Sequence, residues 1–216
     1  MVMEKLQVNP AKVKGRPVYH TIKRIFDILA SALGLILLSP LFLFLMIKIR
    51  HEDGGPAFYS QERIGKDERP FKMWKFRSMV VNADQMLDQL EDENEVDGAM
   101  FKIKNDPRIT KIGHTIRKYS LDELPQLWNV LIGDMSLVGP RPPLPSEVAE
   151  YTDYDKQRLL VMPGCTGLWQ VTRRSEADFD EMVWLDIVYI NHSGLWEDLK
   201  LIIKTIGVVI HPNGAY

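Results

Sequence analysis

The sequence predicts a predominantly helical α+β protein of the monotopic membrane kind, entering the bilayer through an N-terminal re-entrant helical hairpin broken at Ser39-Pro40. Three observations carry this prediction. Ile28 to Ile47 is an apolar run holding no charge across 20 residues, yet Ser39-Pro40 stands at its centre. Lys23 and Arg24 precede the run and Lys48 and Arg50 follow it, so basic residues guard both ends. Beyond residue 56 two short extended stretches are followed by several segments of helical periodicity.

The run is long enough to cross a bilayer as one helix. Proline removes a backbone donor and clashes with the preceding turn, and it pushes the residue before it out of helical geometry, so a sharp bend is expected at Ser39-Pro40. Because Lys and Arg beside a membrane segment favour the cytoplasmic side, both ends are expected there, which is a hairpin dipping into one leaflet. A straight single-pass anchor and a buried core helix are the alternatives, since proline is tolerated where neighbours satisfy the freed carbonyl. A cleaved leader fits poorly, because the basic region is long and no small-residue cleavage site follows the run.

The 216 residues are expected to divide into a basic arm at 1–24, a membrane element at 25–50 and a domain with interfacial helices at 51–216. The arm carries Lys5, Lys12, Lys14, Arg16, Lys23 and Arg24 against Glu4, which suits anionic headgroups or a solvated tail. The formal net charge of −2 gives no global pull towards nucleic acid, and no nucleic acid partner is expected. The single cysteine, Cys165, excludes an internal disulfide.

After a polar connector, Ala57 to Arg63 and Phe71 to Phe76 read as a hairpin around a charged turn at Gly65 to Pro70. Met79, Val80, Ala83, Met86, Leu87 and Leu90 recur at helical spacing beside an acidic face ending at Asp97. Ile109, Ile112 and Ile116 predict a helix opened by Pro107, and Leu124, Leu127, Trp128 and Leu131 the next. Pro140 to Pro145 is too proline-rich for helix. The stripe from Leu195 through Ile210, stopped by Pro212, is expected to pack on the core, with lying on a membrane surface second.

The five histidines are scattered and one cysteine builds no thiolate site, so a structural zinc is not expected. Neither common glycine-rich phosphate cradle is present, and phosphate would have to be met by side chains. The adjacent acids Asp122 and Glu123 lie in Ser120-Leu121-Asp122-Glu123-Leu124-Pro125, where Ser120 and Glu123 have capping-box spacing. Pro125 cannot donate to Leu121 and should distort the helix beside the acids, leaving a place to hold phosphate and a divalent cation. Arginines gather near proline and glycine: Arg108, Arg117, Arg141 within Gly139-Pro140-Arg141-Pro142-Pro143, and Arg173-Arg174. An arginine between prolines presents its fork pre-organised for phosphate, and Lys75 and Arg77 continue the basic theme.

Lys23-Arg24-Ile25-Phe26-Asp27, Leu38-Ser39-Pro40, Lys75-Phe76-Arg77-Ser78-Met79, Ser120 to Gln126, Gly133 to Pro142, and Pro163-Gly164 through Gln170-Val171 together resemble the bacterial sugar transferase family. These are the monotopic phosphoglycosyl transferases, and the likeness runs from about residue 20 onward in order. It implies transfer of a sugar 1-phosphate from a UDP-sugar to undecaprenyl phosphate, releasing UMP, as the first membrane step of capsule, exopolysaccharide or O-antigen assembly. By the same resemblance Asp122 is the nucleophile, forming a covalent phosphosugar. Glu123 is its acidic partner, Arg141 binds phosphate near the site, Arg117 contacts lipid or phosphate, and Mg2+ is the cofactor, held at Asp122 and Glu123. Lys75, Arg77, Arg108 and Arg173 complete the expected substrate-binding set, while Thr172-Arg173-Arg174 departs from the small or glycine-containing stretch of many relatives. Gly167-Leu168-Trp169-Gln170 resembles glucose and galactose members. An N-acetylated donor and a non-catalytic membrane partner are the alternatives. The chain is similar to the short, catalytic-domain form, with membrane lipid as a partner, the cytoplasmic face of the bacterial inner membrane as its place, and a homodimer left open.

Overall fold

The computed structural model describes residues 6–83, 85–86, 106–173 and 177–210. Helix α1 (Pro10–Lys14) is capped by the Asn9 side chain. Helix α2 (Pro17–Leu37) and helix α3 (Ser39–Asp53) then meet at a 60° bend. No single helix among the described residues is long and apolar enough to cross a membrane, whereas α2 and α3 together have that length and composition. The bend has a local cause. Pro40 cannot donate to the carbonyl of Ile36 four residues back, and the Ser39 hydroxyl donates to it instead at 2.7 Å.

The expected hairpin is present, as β1 (Phe58–Ile64) paired antiparallel with β2 (Pro70–Phe76). Cross-strand partners point to the same face, so the Phe58–Phe76 pair stacks towards α3 while Arg63, Met73 and Lys75 share the opposite face. Leu45 and Ile49 of α3 bury against Phe76 and against Ile116 of α4 (Lys111–Lys118). The Glu52 carboxylate at the end of α3 accepts from the first amides of α4, Lys111 and Ile112, where the helix dipole favours an anion.

Helix α5 (Gln126–Ile132) leads to β3 (Ser136–Val138), which pairs in parallel with β4 (Gly164–Thr166). Between them lie α6 (Pro145–Ala149) and a 3-10 stretch, Asp155–Leu160. Helices α7 (Leu168–Thr172), α8 (Phe179–His192) and α9 (Leu195–Ile210) complete the chain. A second core gathers Val138, Val183, Ile187, Ile190 and Leu201, and Val8 joins it from the N-terminal segment.

Several expectations are corrected. The boundary placed at 24/25 falls inside α2, and the base of that helix is bound to protein. Lys23 pairs with Asp198 at 3.0 Å, Arg24 donates to the carbonyls of Val130 and Leu131, and Arg16 donates to that of Ser193. Met79 makes a bridge to Ile109, and 81–83 form a turn; the rest of the amphipathic segment expected there lies mostly outside the described residues. The 106–118 helix starts at Thr110, whose side chain caps Gly113, because Ile109 is engaged in that bridge. Pro145 belongs to a helix after all, at its tolerated first position. The C-terminal stripe packs through a narrow line only: Leu201 is buried, whereas Leu195, Trp196, Leu199, Ile203, Ile206 and Ile210 are exposed.

Candidate active site

The acidic pair sits where the chain cannot stay α-helical. Helix α4 ends at Lys118, Ser120 turns left-handed at φ 53°, and Leu121–Glu123 is a single 3-10 turn. Pro125 blocks the α-helical bond to Leu121, so α5 begins only at Gln126. The capping-box reading is therefore corrected: Ser120 makes no side-chain cap, and Glu123 reaches across to β2 instead. Residues of a 3-10 turn diverge by about 120°, and the two carboxylates take different surroundings. Asp122 is 8% exposed, while the Glu123 side chain is 37% exposed.

Lys75 donates to Glu123 Oε1 at 2.8 Å. It is delivered by β2, which Asn129 of α5 locks in place: the amide of Trp74 donates to Asn129 Oδ1, and Asn129 Nδ2 donates to the Lys72 carbonyl. Asn129 is fully buried and links the strand bearing Lys75 to the helix that follows the acids. Burial pushes the Asp122 carboxyl up to about 6; Lys75 and Arg117 oppose that rise and the charge of Glu123 adds to it. Glu123 also loses solvation, yet Lys75, then Arg141 and Arg63, hold its carboxyl below the usual range.

Arg141 follows a tight junction. A Cβ on Gly164 would come within 2.0 Å of the Gly139 amide, so only glycine lets these two backbones approach. Two buried arginines grip the loop beyond. Arg63 donates to the Pro142 carbonyl at 3.2 Å, and Arg158 donates to the Arg141 carbonyl at 3.3 Å. Arg158 is itself held by the Tyr151 hydroxyl and by Asp186, which is fully buried. Arg63, Asn129, Arg158 and Asp186 were not singled out from the sequence. A lone arginine on a strand reads as a solvated one, and only the antiparallel register puts Arg63 on the face of Lys75.

Of the residues expected to bind substrate, Lys75, Arg117 and Arg141 converge electrostatically on the acidic pair. Arg117 also acts on Asp106, whose carboxylate grips Arg108 at 2.6 Å. Arg77 is bound to Asp53 and to the carbonyls of Pro56 and Met79, joining α3 to the hairpin. Arg173 pairs with Glu181 at 2.9 Å, and Arg174 lies outside the described residues. Cys165 feels both Glu123 and Asp27, and burial above all pushes its thiol up, away from reactivity. Among the described residues no group of three His, Cys, Asp or Glu side chains gathers. Two adjacent hard carboxylates fit magnesium, which uses one or two protein carboxylates and takes its remaining ligands from water and phosphate.

The fold joins a buried, cation-flanked acidic pair to a bent apolar helical pair in one chain. The sequence profile described as bacterial sugar transferase matches residues 18–212, and the chain belongs to that family. It is similar to the galactosyl transferase CpsE of Streptococcus agalactiae serotype III, 50% identical over 194 residues, which is 89% of this chain and 43% of that protein. It is also similar to the undecaprenyl-phosphate galactose phosphotransferase of Salmonella typhimurium, 45% identical over 220 residues, 100% of this chain and 45% of that protein. The exopolysaccharide production protein ExoY of Rhizobium meliloti is 41% identical over 205 residues, 93% of this chain and 91% of that protein. The chain thus spans less than half the length of the first two relatives and nearly all of the third.

Proposed function

We propose that this protein transfers hexose 1-phosphate from a UDP-hexose to undecaprenyl phosphate, releasing UMP, at the cytoplasmic face of a bacterial inner membrane in exopolysaccharide or capsule assembly. The observation that carries this reading is the Asp122-Glu123 pair held among Lys75, Arg117 and Arg141. The names of two relatives specify galactose, which favours that donor.

A carboxylate titrating near 6 is mostly ionised at neutral pH and is also a competent leaving group, which suits a covalent intermediate. Asp122 attacks the sugar-bearing phosphorus, a carboxylate–phosphorus bond forms as the pyrophosphate P–O bond breaks, and the bridging oxygen departs on UMP. An oxygen of the acceptor phosphate then attacks the same phosphorus, the acyl phosphate bond breaks, and Asp122 is regenerated. Lys75 and Arg117 offset the repulsion between an anionic nucleophile and a pyrophosphate, while Arg141 presents its fork to phosphate oxygens. Asp122 and Glu123 would hold magnesium, which supplies charge neutralisation to the phosphates.

The acceptor is lipid-bound and the donor water-soluble, so they meet only at the interface. The bent pair α2–α3 supports a re-entrant insertion, because its outer surface exposes Leu29, Leu33, Ile36, Leu37, Leu43, Phe44 and Ile47. Trp196 and Trp128 are also exposed, as suits residues at headgroup level. Purified protein given a panel of UDP-sugars tests the reading. Without acceptor, wild type should release about one UMP per chain and retain labelled sugar phosphate, UDP-galactose being used best. Asp122→Asn should release none. Equal UMP release by the Asn variant, or label recovered on Glu123 after peptide mapping, would overturn the covalent assignment; preferential use of an N-acetylated donor would overturn the choice of hexose.

A further inference from the structure

A cavity of about 260 Å3 opens among α1, α2, the turn at Lys66, the start of β3 and the end of α8. Asp122, Glu123, Lys75, Arg117 and Arg141 do not line it. Its wall is cationic: Lys12, Lys23, Arg24 and Lys66 face it together with His20, against the single carboxylate of Asp27. Part of that wall is already committed. Lys23 pairs with Asp198, Arg24 holds two carbonyls of α5, and Asp27 accepts from the Leu137 amide at 3.1 Å.

What is left over defines the ligand. Lys12 and Lys66 have no ion-pair partner among the described residues. The hydroxyl of Ser136, a residue 2% exposed, lies beside the Asp27 carboxylate without a close hydrogen bond, and the His20 ring is held at the Val13 backbone with its Nε2 unpartnered. An apolar occupant would leave the Lys12 and Lys66 ammoniums against it without a counter-charge. A cation would meet the lysines. A tetrahedral oxyanion can accept from the ammoniums and the hydroxyl together, and lysine meets phosphate well as a compact charge.

The position along α2 adds a second indication. Tyr19, His20, Lys23, Arg24 and Asp27 line the cavity, while Val18, Ile22, Ile25 and Leu29 of the same turns are exposed on the outside. One helix therefore turns a cationic face inward and an apolar face outward at the base of the bent apolar pair. We propose that this cavity is a second binding site, separate from the Asp122 centre, for a phosphate-bearing anion, either a soluble phosphate ester or a phosphomonoester lipid headgroup. An occupant bridges α1, α2, the β1–β2 turn and α8, so it stabilises the fold in proportion to its occupancy.

The test is the unfolding midpoint of the full chain, at constant ionic strength, in detergent with inorganic phosphate and separately in bilayer discs of phosphatidylcholine with or without phosphatidic acid. Wild type should be stabilised in at least one medium, and Lys12→Gln with Lys66→Gln should weaken that binding about tenfold or more. Ser136→Ala removes only the hydroxyl beside Asp27, which keeps its bond from the Leu137 amide, so the variant should fold and lose about threefold or more in affinity. Arg141→Lys should retain the effect, which separates this site from the catalytic reading. A response to free phosphate supports a soluble ligand, and one confined to phosphatidic acid supports the headgroup. The proposal is overturned by no stabilisation in either medium, by an undiminished effect in both cavity variants, or by an effect lost in Arg141→Lys alone.

Discussion

The Lys75 ammonium lies 2.8 Å from Glu123 Oε1 and holds this carboxyl down beside an adjacent one that burial raises. Glu123 is held ionised below its usual range while its neighbour Asp122, more deeply buried, is pushed up to about 6. Pushing paired acids apart in this way is how one site acquires two roles.

Lys75→Met keeps the length of the side chain and removes its charge. Because Lys75 opposes the rise of both carboxyls, both should move up in the variant. The acid limb of the pH profile of kcat/KM for UMP release, expected near pH 6 in wild type, should shift to higher pH. Activity at pH 7 should fall about 100-fold, the scale for losing one pre-organised charge contact. An unshifted profile would remove Lys75 from the electrostatics of the pair.

Asp122→Asn should be more stable than wild type at neutral pH while inactive. Burial, then the charge of Glu123, raises the folded-state Asp122 above its ordinary 3.8. The folded protein thus binds this proton more tightly than the unfolded chain. The stability it contributes is complete below about pH 4 and is lost as pH rises through about 6. Asparagine mimics the protonated form at every pH. The unfolding midpoint should therefore rise by about 2–4 °C for each kcal/mol gained at pH 7.5, with no gain at pH 4. A variant less stable than wild type at pH 7.5 would contradict the burial argument.

The sequence showed the helical break and the acidic pair because both rest on local chemistry. Ser39-Pro40 interrupts an uncharged run, and Asp122-Glu123 stands beside Pro125 whatever the tertiary fold. What supports the site was less legible, because it depends on long-range register. Arg63 reaches the Pro142 carbonyl across 79 positions, and Asn129 reaches Trp74 across 55. Helix α8 shows no clean stripe, since Trp184, Leu185 and Val188 add apolar positions between the buried Val183, Ile187 and Ile190. The basic residues before the apolar run were visible, yet their partners were not: Asp198 is 175 positions from Lys23.

Magnesium dependence is the outcome expected of two adjacent hard carboxylates. Exhaustive chelation should abolish UMP release and added MgCl2 should restore it, with weak binding in the absence of donor, because magnesium takes most of its ligands from water and phosphate. Full activity after chelation would remove the metal from the mechanism.

Arg158 is expected to matter twice, for stability and for the placement of Arg141. Arg158→Met leaves the fully buried Asp186 without its partner and should cost about 3–5 kcal/mol, read by denaturant unfolding. Adding Asp186→Leu removes the stranded acid and should recover most of that loss. The Arg141 carbonyl still lacks its donor, so kcat/KM should remain about tenfold or more below wild type, the scale of a small misplacement. Recovery of activity along with stability would assign Arg158 to the core alone.

The bend at Ser39-Pro40 should decide on which side of a membrane the termini lie. Leucine at both positions restores an N–H that can donate to the Ile36 carbonyl, now served by the Ser39 hydroxyl, and leaves nothing to interrupt the helix from Pro17 to Asp53. Its uncharged stretch would measure about 30 Å, the thickness of a bilayer core. Opposing this, Lys23 and Arg24 hold the base of α2 to Asp198 and to the end of α5. Straightening must therefore carry α3 outward rather than move α2. In wild type, tags at residues 1 and 216 should both be protected from protease added to the periplasmic side. In Ser39→Leu with Pro40→Leu one tag should become accessible, and UMP release should fall as α3 leaves the packing of Leu45 and Ile49 on Phe76. Cleavage of the wild-type N-terminal tag from the periplasmic side would show a spanning helix and refute the re-entrant insertion.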